Sequence, residues 1–308
     1  MEEILRQSRN NLKVVGTLKS IKINEKTSKN GEPFISLDVV VVSKNEDKIR
    51  ENKISFWTRR SSKLAAGYIT AGNEYKSIET HGEEQADRVM IDGNYEMNEY
   101  VKDGVFKSFP KLKGTFISRL DNNAVGADGK PIPDAVELLL ECVVMDIQPE
   151  LSKEGLTTGR ICTKLFSVGY NNSINEFSDV IVEKDLGQDF KRLFPIGTTA
   201  RLYINVNNYV IIKENEQVPA VQTFGKQLSN IGSQPIKEYI NETIIIGGDM
   251  PIIDGKYTKE EIAKMVKLRE LAVNEKMTIQ TPPPAPTGFG TGFSATTSNQ
   301  TDFSDIPF

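Results

Sequence analysis

The chain has 308 residues, of which 38% are hydrophobic and 26% charged, with a formal net charge of −4. That composition fits a soluble globular class with room for about two domains, and no run approaches the roughly 18 apolar residues of a membrane-spanning helix. The opening Met1-Glu2-Glu3-Ile4 lacks a signal-peptide pattern, so a cytoplasmic location is expected.

The charge is uneven. Residues 1–125 hold 21 Lys and Arg against 18 Asp and Glu, while residues 126–308 hold 17 against 24. A basic surface on the first half is therefore compatible with a polyanionic partner despite the net charge. Cys142 and Cys162 lie in apolar, strand-like runs without a CxxC partner. They read as buried free thiols, not as a disulfide or metal site.

After a short polar lead, Asn11–Asn24 alternates as a strand, with Gly16 as a candidate bulge or bend. Phe34–Ser43 is the next strand, with Ile35, Leu37, Val39 and Val41 on one face. Lys53–Trp57 is a third, with Ile54 and Phe56 inward and Lys53, Ser55 and Trp57 outward. Ser61–Ala71 reads as a short helix ended by Gly72 in a left-handed cap. Tyr75–Thr80 and Val89–Tyr95 are rival fourth strands around a polar loop at 81–86. Asp103-Gly104 signals a tight hairpin, and Lys111–Leu120 closes the unit. Three strands, a helix and two more strands is the order of a five-stranded Greek-key OB-fold barrel, although other small barrels or sandwiches share the count.

Residues 121–133 read as a linker. Ala135–Ile147, Gly159–Tyr170 and Phe177–Glu183 are strands, Leu186–Phe194 is a short helix, and Arg201–Lys213 supplies one long or two short strands. The strand-strand-strand-helix-Gly-strand order thus recurs. The expected fold is mainly β: two tandem OB-fold-like Greek-key barrels, a C-terminal helix and a disordered tail, with one OB-fold plus an unrelated β domain as the alternative. The divisions are an N-terminal barrel at 1–120, the linker at 121–133, a second barrel with an irregular extension at 134–255, an amphipathic helix at 256–280, and a spacer and tip at 281–308. Thr258 and Glu261 form a capping box for that helix. Its stripe of Ile262, Met265, Val266, Ala272 and Val273 predicts packing on its own barrel.

Catalytic chemistry finds little footing. His81 is the only histidine, which removes multi-His metal sites, and no GxxxxGK[ST] loop occurs. No cofactor or catalytic residue is assigned, and the chain is read as a non-enzyme. Binding single strands without sequence preference needs cations and exposed aromatic rings. Phe34, Lys53, Trp57, Arg59, Arg60 and Lys63 supply both, with Trp57 either a stacking platform or a core residue. Tyr100, Phe106, Lys107, Phe109, Lys111 and Lys113 interleave the same types along the hairpin. Arg160, Lys164 and Phe166 are a thinner set in the second unit.

Residues 281–308 contain no Lys or Arg and pass from Thr281 into Pro-Pro-Pro before turning to Gly, Thr and Ser, the composition of a disordered spacer. Yet the chain ends Asp302-Phe303-Ser304-Asp305-Ile306-Pro307-Phe308. This tip resembles the acidic C-terminal tip of bacterial single-stranded-DNA-binding proteins, which ends Asp-Ile-Pro-Phe after further Asp residues. Phe56-Trp57, Lys63–Ala65 and Tyr68–Gly72 look like the strand-helix-Gly segment of the same family, and Val89–Tyr95 running into Tyr100–Lys107 looks like its fourth strand and hairpin. The resemblance implies a protein that coats single-stranded DNA and recruits replication, recombination and repair proteins. Asp302, Phe303, Asp305, Ile306, Pro307 and Phe308 would dock on those partners. Relatives carry one OB-fold per chain and assemble as tetramers; two units in one chain predict a monomer or homodimer, and a phage or mobile-element variant acting in a bacterial host cell. The rival readings are an adaptor that uses the tip without coating DNA, and a carboxylate-metal nuclease.

Overall fold

Five strands close on themselves in the first half of the chain: β1 (Asn10–Thr27), β2 (Pro33–Asn45), β3 (Lys48–Arg59), β4 (Arg88–Lys102) and β5 (Val105–Leu120). The computed structural model describes residues 4–28, 30–45, 48–121, 124–126, 128–213 and 236–279. The circuit runs β1-β2-β3-β5-β4-β1, antiparallel except where β3 meets β5 in parallel. That is the OB-fold barrel, with α1 (Leu64–Glu74) and α2 (Ile78–His81) between β3 and β4.

The second half repeats the circuit. β6 (Ala135–Leu151), β7 (Thr157–Val168), β8 (Ile174–Val182), β9 (Thr199–Lys213) and β10 (Ile236–Gly248) close in the order β6-β7-β8-β10-β9-β6. The β8–β10 pair is the parallel one, and α3 (Gly187–Leu193) sits between β8 and β9. Two tandem OB-like barrels are thus present, and the repeated element order is a repeat of topology. Thr243–Ile246, within the stretch read as an irregular extension, lies in the second half of β10, which closes the second barrel.

The barrels share one sheet and one core. β1 pairs with β6 from Asn10 opposite Leu140 to Val15 opposite Ala135, so the first strands of the two units run side by side. Leu12, Val14, Leu138 and Leu202 belong to a single buried cluster that also takes in Ile35, Phe56 and Leu165. β1 leaves β4 and β6 beyond Thr17 and continues along β2. Gly16 stands where that bend brings β2 close: a Cβ there would lie 2.3 Å from the Val42 carbonyl oxygen. A bulge between Leu18 and Ser20 then resets the alternation. Ile21 and Ile23 turn toward the core, where unbroken alternation would have placed Ser20.

Three local expectations are corrected. Gly72 is not a left-handed cap. The helix runs on to Glu74, and a Cβ on Gly72 would sit 2.8 Å from Ile23 Cβ, so the glycine lets α1 lie against β1. Tyr75–Thr80 is not a strand: it leads into α2, whose Ser77 and Thr80 form a capping box, and the fourth strand is β4. Cys142 is buried but Cys162 is only half-buried.

The last helix, α4 (Lys259–Ile279), begins at the predicted capping box. Glu261 N–H donates to Thr258 Oγ1 at 3.2 Å and Thr258 N–H donates to Glu261 Oε2 at 2.7 Å. It packs on both barrels, not on one. Met265 is fully buried in a second cluster with Leu5, Val143, Phe166, Val168 and Ile174. Farther along, the Arg269 guanidinium reaches Glu99 on β4 (2.7 and 2.9 Å) and Glu176 on β8 (2.9 Å). Lys276 adds a bond to Glu99 at 2.8 Å.

Candidate nucleic-acid interface

Alternation along β3 turns Ile54 and Phe56 into the barrel, 2% and 1% exposed, and turns Lys53, Ser55 and Trp57 out. Trp57 is 53% exposed, so it is not a core residue. The register sets Phe34 opposite Arg59, Ser36 opposite Trp57 and Val40 opposite Lys53. The Phe34 and Trp57 rings lie 5.8 Å apart and tilted by 39°. Beyond β2, β1 places Lys26 opposite Phe34 and Lys22 opposite Asp38. On the other side, β5 places Lys113 beside Ser55. The outer face of β1, β2, β3 and β5 is therefore an aromatic pair inside a band of cations.

Arg59 and Arg60 border that pair. Arg59 meets Glu32 at 3.4 Å and Arg60 meets Glu25 at 2.9 Å, all four side chains being largely exposed. Exposed pairs of this kind contribute about 0–1 kcal/mol, so an incoming phosphate can displace the carboxylates at little cost. Lys63 is exposed immediately before α1.

The β4–β5 hairpin turns at Asp103 (φ 52°) and Gly104 (φ 75°), both left-handed as a two-residue type I′ turn requires. Its register puts Tyr100 opposite Lys107, Asn98 opposite Phe109, Glu96 opposite Lys111 and Asn94 opposite Lys113. Tyr100, Lys107, Phe109, Lys111 and Lys113 consequently share one face. The Tyr100 and Phe109 rings are 6.2 Å apart, Phe109 is 50% exposed, and Lys113 Nζ contacts Glu96 at 3.0 Å. Phe106 does not join them. It pairs with buried Val101 on the opposite face, under the Arg269 guanidinium at 5.8 Å. Period-two geometry separates it from its aromatic neighbours.

The second-barrel set does not form a comparable face. Arg160 donates two hydrogen bonds of 2.7 Å to Glu150 and one of 3.1 Å to Glu242. The bonds to Glu150, opposed by partial burial, hold its guanidinium even further from losing its proton. Lys164 pairs with Glu176 at 3.1 Å. Phe166 is 6% exposed because α4 covers that side of β7, so its ring has no free face. Sequence reasoning missed Lys22 and Lys26. Lys22 alternates with Ile21 and Ile23 inside the strand as read, and ending that strand at Asn24 left out Lys26. It also passed over Tyr170, which is 75% exposed. Asp302, Phe303, Asp305, Ile306, Pro307 and Phe308 lie outside the described residues. Among the described residues, no group of three or more His, Cys, Asp and Glu side chains gathers as metal ligands.

A family model described as YorF matches residues 8–278, and the chain belongs to that family. No curated protein matches in sequence. Among solved structures, the chain is similar to the single-stranded DNA binding protein of Thermus aquaticus. The wild-type form is 12% identical at a TM-score of 0.47, covering 80% of this chain and 95% of that one. A deletion mutant of the same protein is 13% identical at 0.46, covering 83% and 99%. A small single-stranded DNA-binding protein from Streptomyces coelicolor is 15% identical at 0.25, covering 35% of this chain and 92% of that one. At these identities and scores the likenesses decide nothing about activity.

Proposed function

We propose that this member of the YorF family binds single-stranded DNA with little sequence preference and protects it, acting as a binding protein and not as an enzyme. The observation that carries the reading is the outer face of the first barrel, where exposed Trp57 and half-buried Phe34 sit among Lys22, Lys26, Lys53, Arg59 and Lys113. Every base has a π-face, so stacking on Trp57 and Phe34 tolerates any sequence, and lysines and arginines neutralise phosphates without reading bases. The hairpin face of Tyr100, Lys107, Phe109 and Lys111 extends the platform, and the footprint expected of one OB-fold is roughly 4–16 nucleotides. The binding needs no cofactor.

The tip gives the chain a second role. Asp302 and Asp305 would meet a basic pocket on replication, recombination and repair proteins, while Phe303, Ile306, Pro307 and Phe308 fill an apolar slot. Two barrels in one chain support a monomer or homodimer, and the tip supports a bacterial host cytoplasm, with a phage-encoded variant the form that fits.

Titration with labelled oligo-dT tests the reading. Tight, strongly salt-dependent binding without cleavage, with quenching of the single tryptophan, is the expected result. Absence of binding at low salt would leave the adaptor reading, and Mg²⁺-dependent cleavage would leave the nuclease. Removing Phe308 should keep DNA affinity and end partner pull-down; partners that still co-purify would sink the docking role.

A further inference from the structure

Where the two barrels meet, a cleft of about 510 Å³ opens beside Lys113. Its size is within the roughly 300–1,000 Å³ of small-molecule sites. The first barrel lines it with Asn94, Lys113 and, at the start of β1, Asn11, and the segment entering β1 lines it with Arg9. The second barrel contributes Asn175 and the turn bearing Tyr170. Amides and cations outnumber apolar side chains, so the cleft is built for a polar ligand. Glu96 also lines it and is already paired with Lys113.

Tyr170 is more exposed than Trp57, yet its turn is held tightly. Gly169 N–H donates to the Ser173 carbonyl at 2.7 Å, Ser173 N–H donates to the Tyr170 carbonyl at 3.1 Å, and Leu5 N–H donates to Asn172 Oδ1 at 2.8 Å. Asn171 and Asn172 both adopt left-handed backbone (φ 53° and 59°), and a Cβ on Gly169 would fall 2.5 Å from Ser173 Oγ. Backbone in sparsely populated regions persists where surrounding contacts over-determine it. An aromatic ring presented on such a turn and left uncovered contributes little to folding. Arg9 makes no ion pair among the described residues, so the cleft holds a cation without a competing carboxylate of its own.

We propose that this cleft takes one unstacked nucleotide of the bound strand, with its base on Tyr170 and its phosphate toward Arg9 and Lys113. The inference rests on the single-stranded-DNA reading and adds a path to it. Lys113 belongs both to the outer face beside Ser55 and to the cleft wall. A strand leaving the Trp57 platform therefore crosses to the second barrel at the cleft, in place of the Arg160, Lys164 and Phe166 set. Asn11 and Asn175 offer donors and acceptors that any base edge can use, which preserves sequence tolerance.

The test is fluorescence anisotropy with dT oligomers of increasing length on the full chain and on Tyr170→Ala, Tyr170→Phe and Trp57→Ala. Loss of one base stack by alanine substitution is worth about 1–3 kcal/mol, which is roughly thirtyfold in affinity at the middle of that range. Tyr170→Ala should weaken long oligomers by about thirtyfold and leave short ones, confined to the first barrel, unchanged; Tyr170→Phe should match the parent. The thermal midpoint of Tyr170→Ala should not move, because the ring is exposed. If Trp57→Ala weakens binding but Tyr170→Ala holds long oligomers within about twofold of the parent, the cleft is overturned and the outer face stands. If the parent chain binds no oligomer, both readings fall together.

Discussion

Replacing Arg269 by Met should cost about 3–5 kcal/mol of stability, the range for breaking a buried ion pair and leaving a carboxylate behind. The guanidinium is 7% exposed and makes three contacts of 2.7–2.9 Å to Glu99 and Glu176. Glu99 is equally buried and would retain Lys276 and a 3.3 Å hydrogen bond from Ser108 Oγ, while Glu176, 22% exposed, would retain Lys164. Met keeps the apolar stem that lies along α4, so the loss isolates the charge. Against a total stability of about 5–15 kcal/mol, the change is large. Urea unfolding followed by far-UV circular dichroism and by Trp57 fluorescence measures it. Trp57, the only tryptophan, reports the first barrel alone, while dichroism reports both. Because Arg269 ties β4 of one barrel to β8 of the other, the variant should lose coincidence of the two probes as well as shift its midpoint. Adding Glu99→Leu and Glu176→Leu should recover much of the loss, since no buried charge is then stranded. A cost below about 1 kcal/mol for Arg269→Met would refute the clasp.

The same cluster predicts acid sensitivity. Burial works to raise the Glu99 and Glu176 carboxyl pKa values, but hydrogen bonds from Arg269, with Lys276 and Lys164, outweigh it and hold both below the usual range. Their stabilisation is therefore present above the unfolded value of about 4.3 and is lost as pH falls through the lower folded values; stability of the parent should drop below about pH 4.3, and more steeply than that of Arg269→Met. Arg59→Ala with Arg60→Ala should flatten the salt dependence of oligo-dT binding by about 1.4, or about 0.7 per phosphate contact on a single strand; an unchanged slope would remove both residues from the site. Gly72→Ala should lower the thermal midpoint. Helix propensity favours Ala by about 1 kcal/mol, but a Cβ 2.8 Å from Ile23 Cβ imposes overpacking of about 1–3 kcal/mol. A higher midpoint would show that α1 can lift off β1 freely.

Several site residues were legible because they follow one strand's own alternation. Lys53 and Trp57 face outward as the period of β3 requires, and Asp103-Gly104 makes the hairpin turn its composition specifies. Phe106 failed for the same kind of reason: grouping residues by type ignored that 106 and 107 point to opposite faces. Phe166 failed for a different one. β7 has Ile161, Thr163 and Leu165 on its inner face, but its outer face is dry at Phe166 and Val168 because α4, nearly a hundred residues later, lies over it. Arg160 looked available until Glu150 and Glu242 arrived from two other strands.

By itself, the sequence determined the β-rich class, the strand-helix-strand order of each unit, the inner faces of β2 and β3, the capping box at Thr258 and the hairpin turn. All of these depend on neighbours a few residues apart, through side-chain alternation, turn dihedrals and local hydrogen bonds. Only the tertiary structure decided that β1 lies against β6, that α4 clasps both barrels through Arg269, and that Lys22, Lys26 and Lys113 come from separate segments to surround Trp57 and Phe34. Those placements depend on which distant strand fills each edge, on register at a bulge, and on what covers an apolar face, none of which leaves a mark in local periodicity.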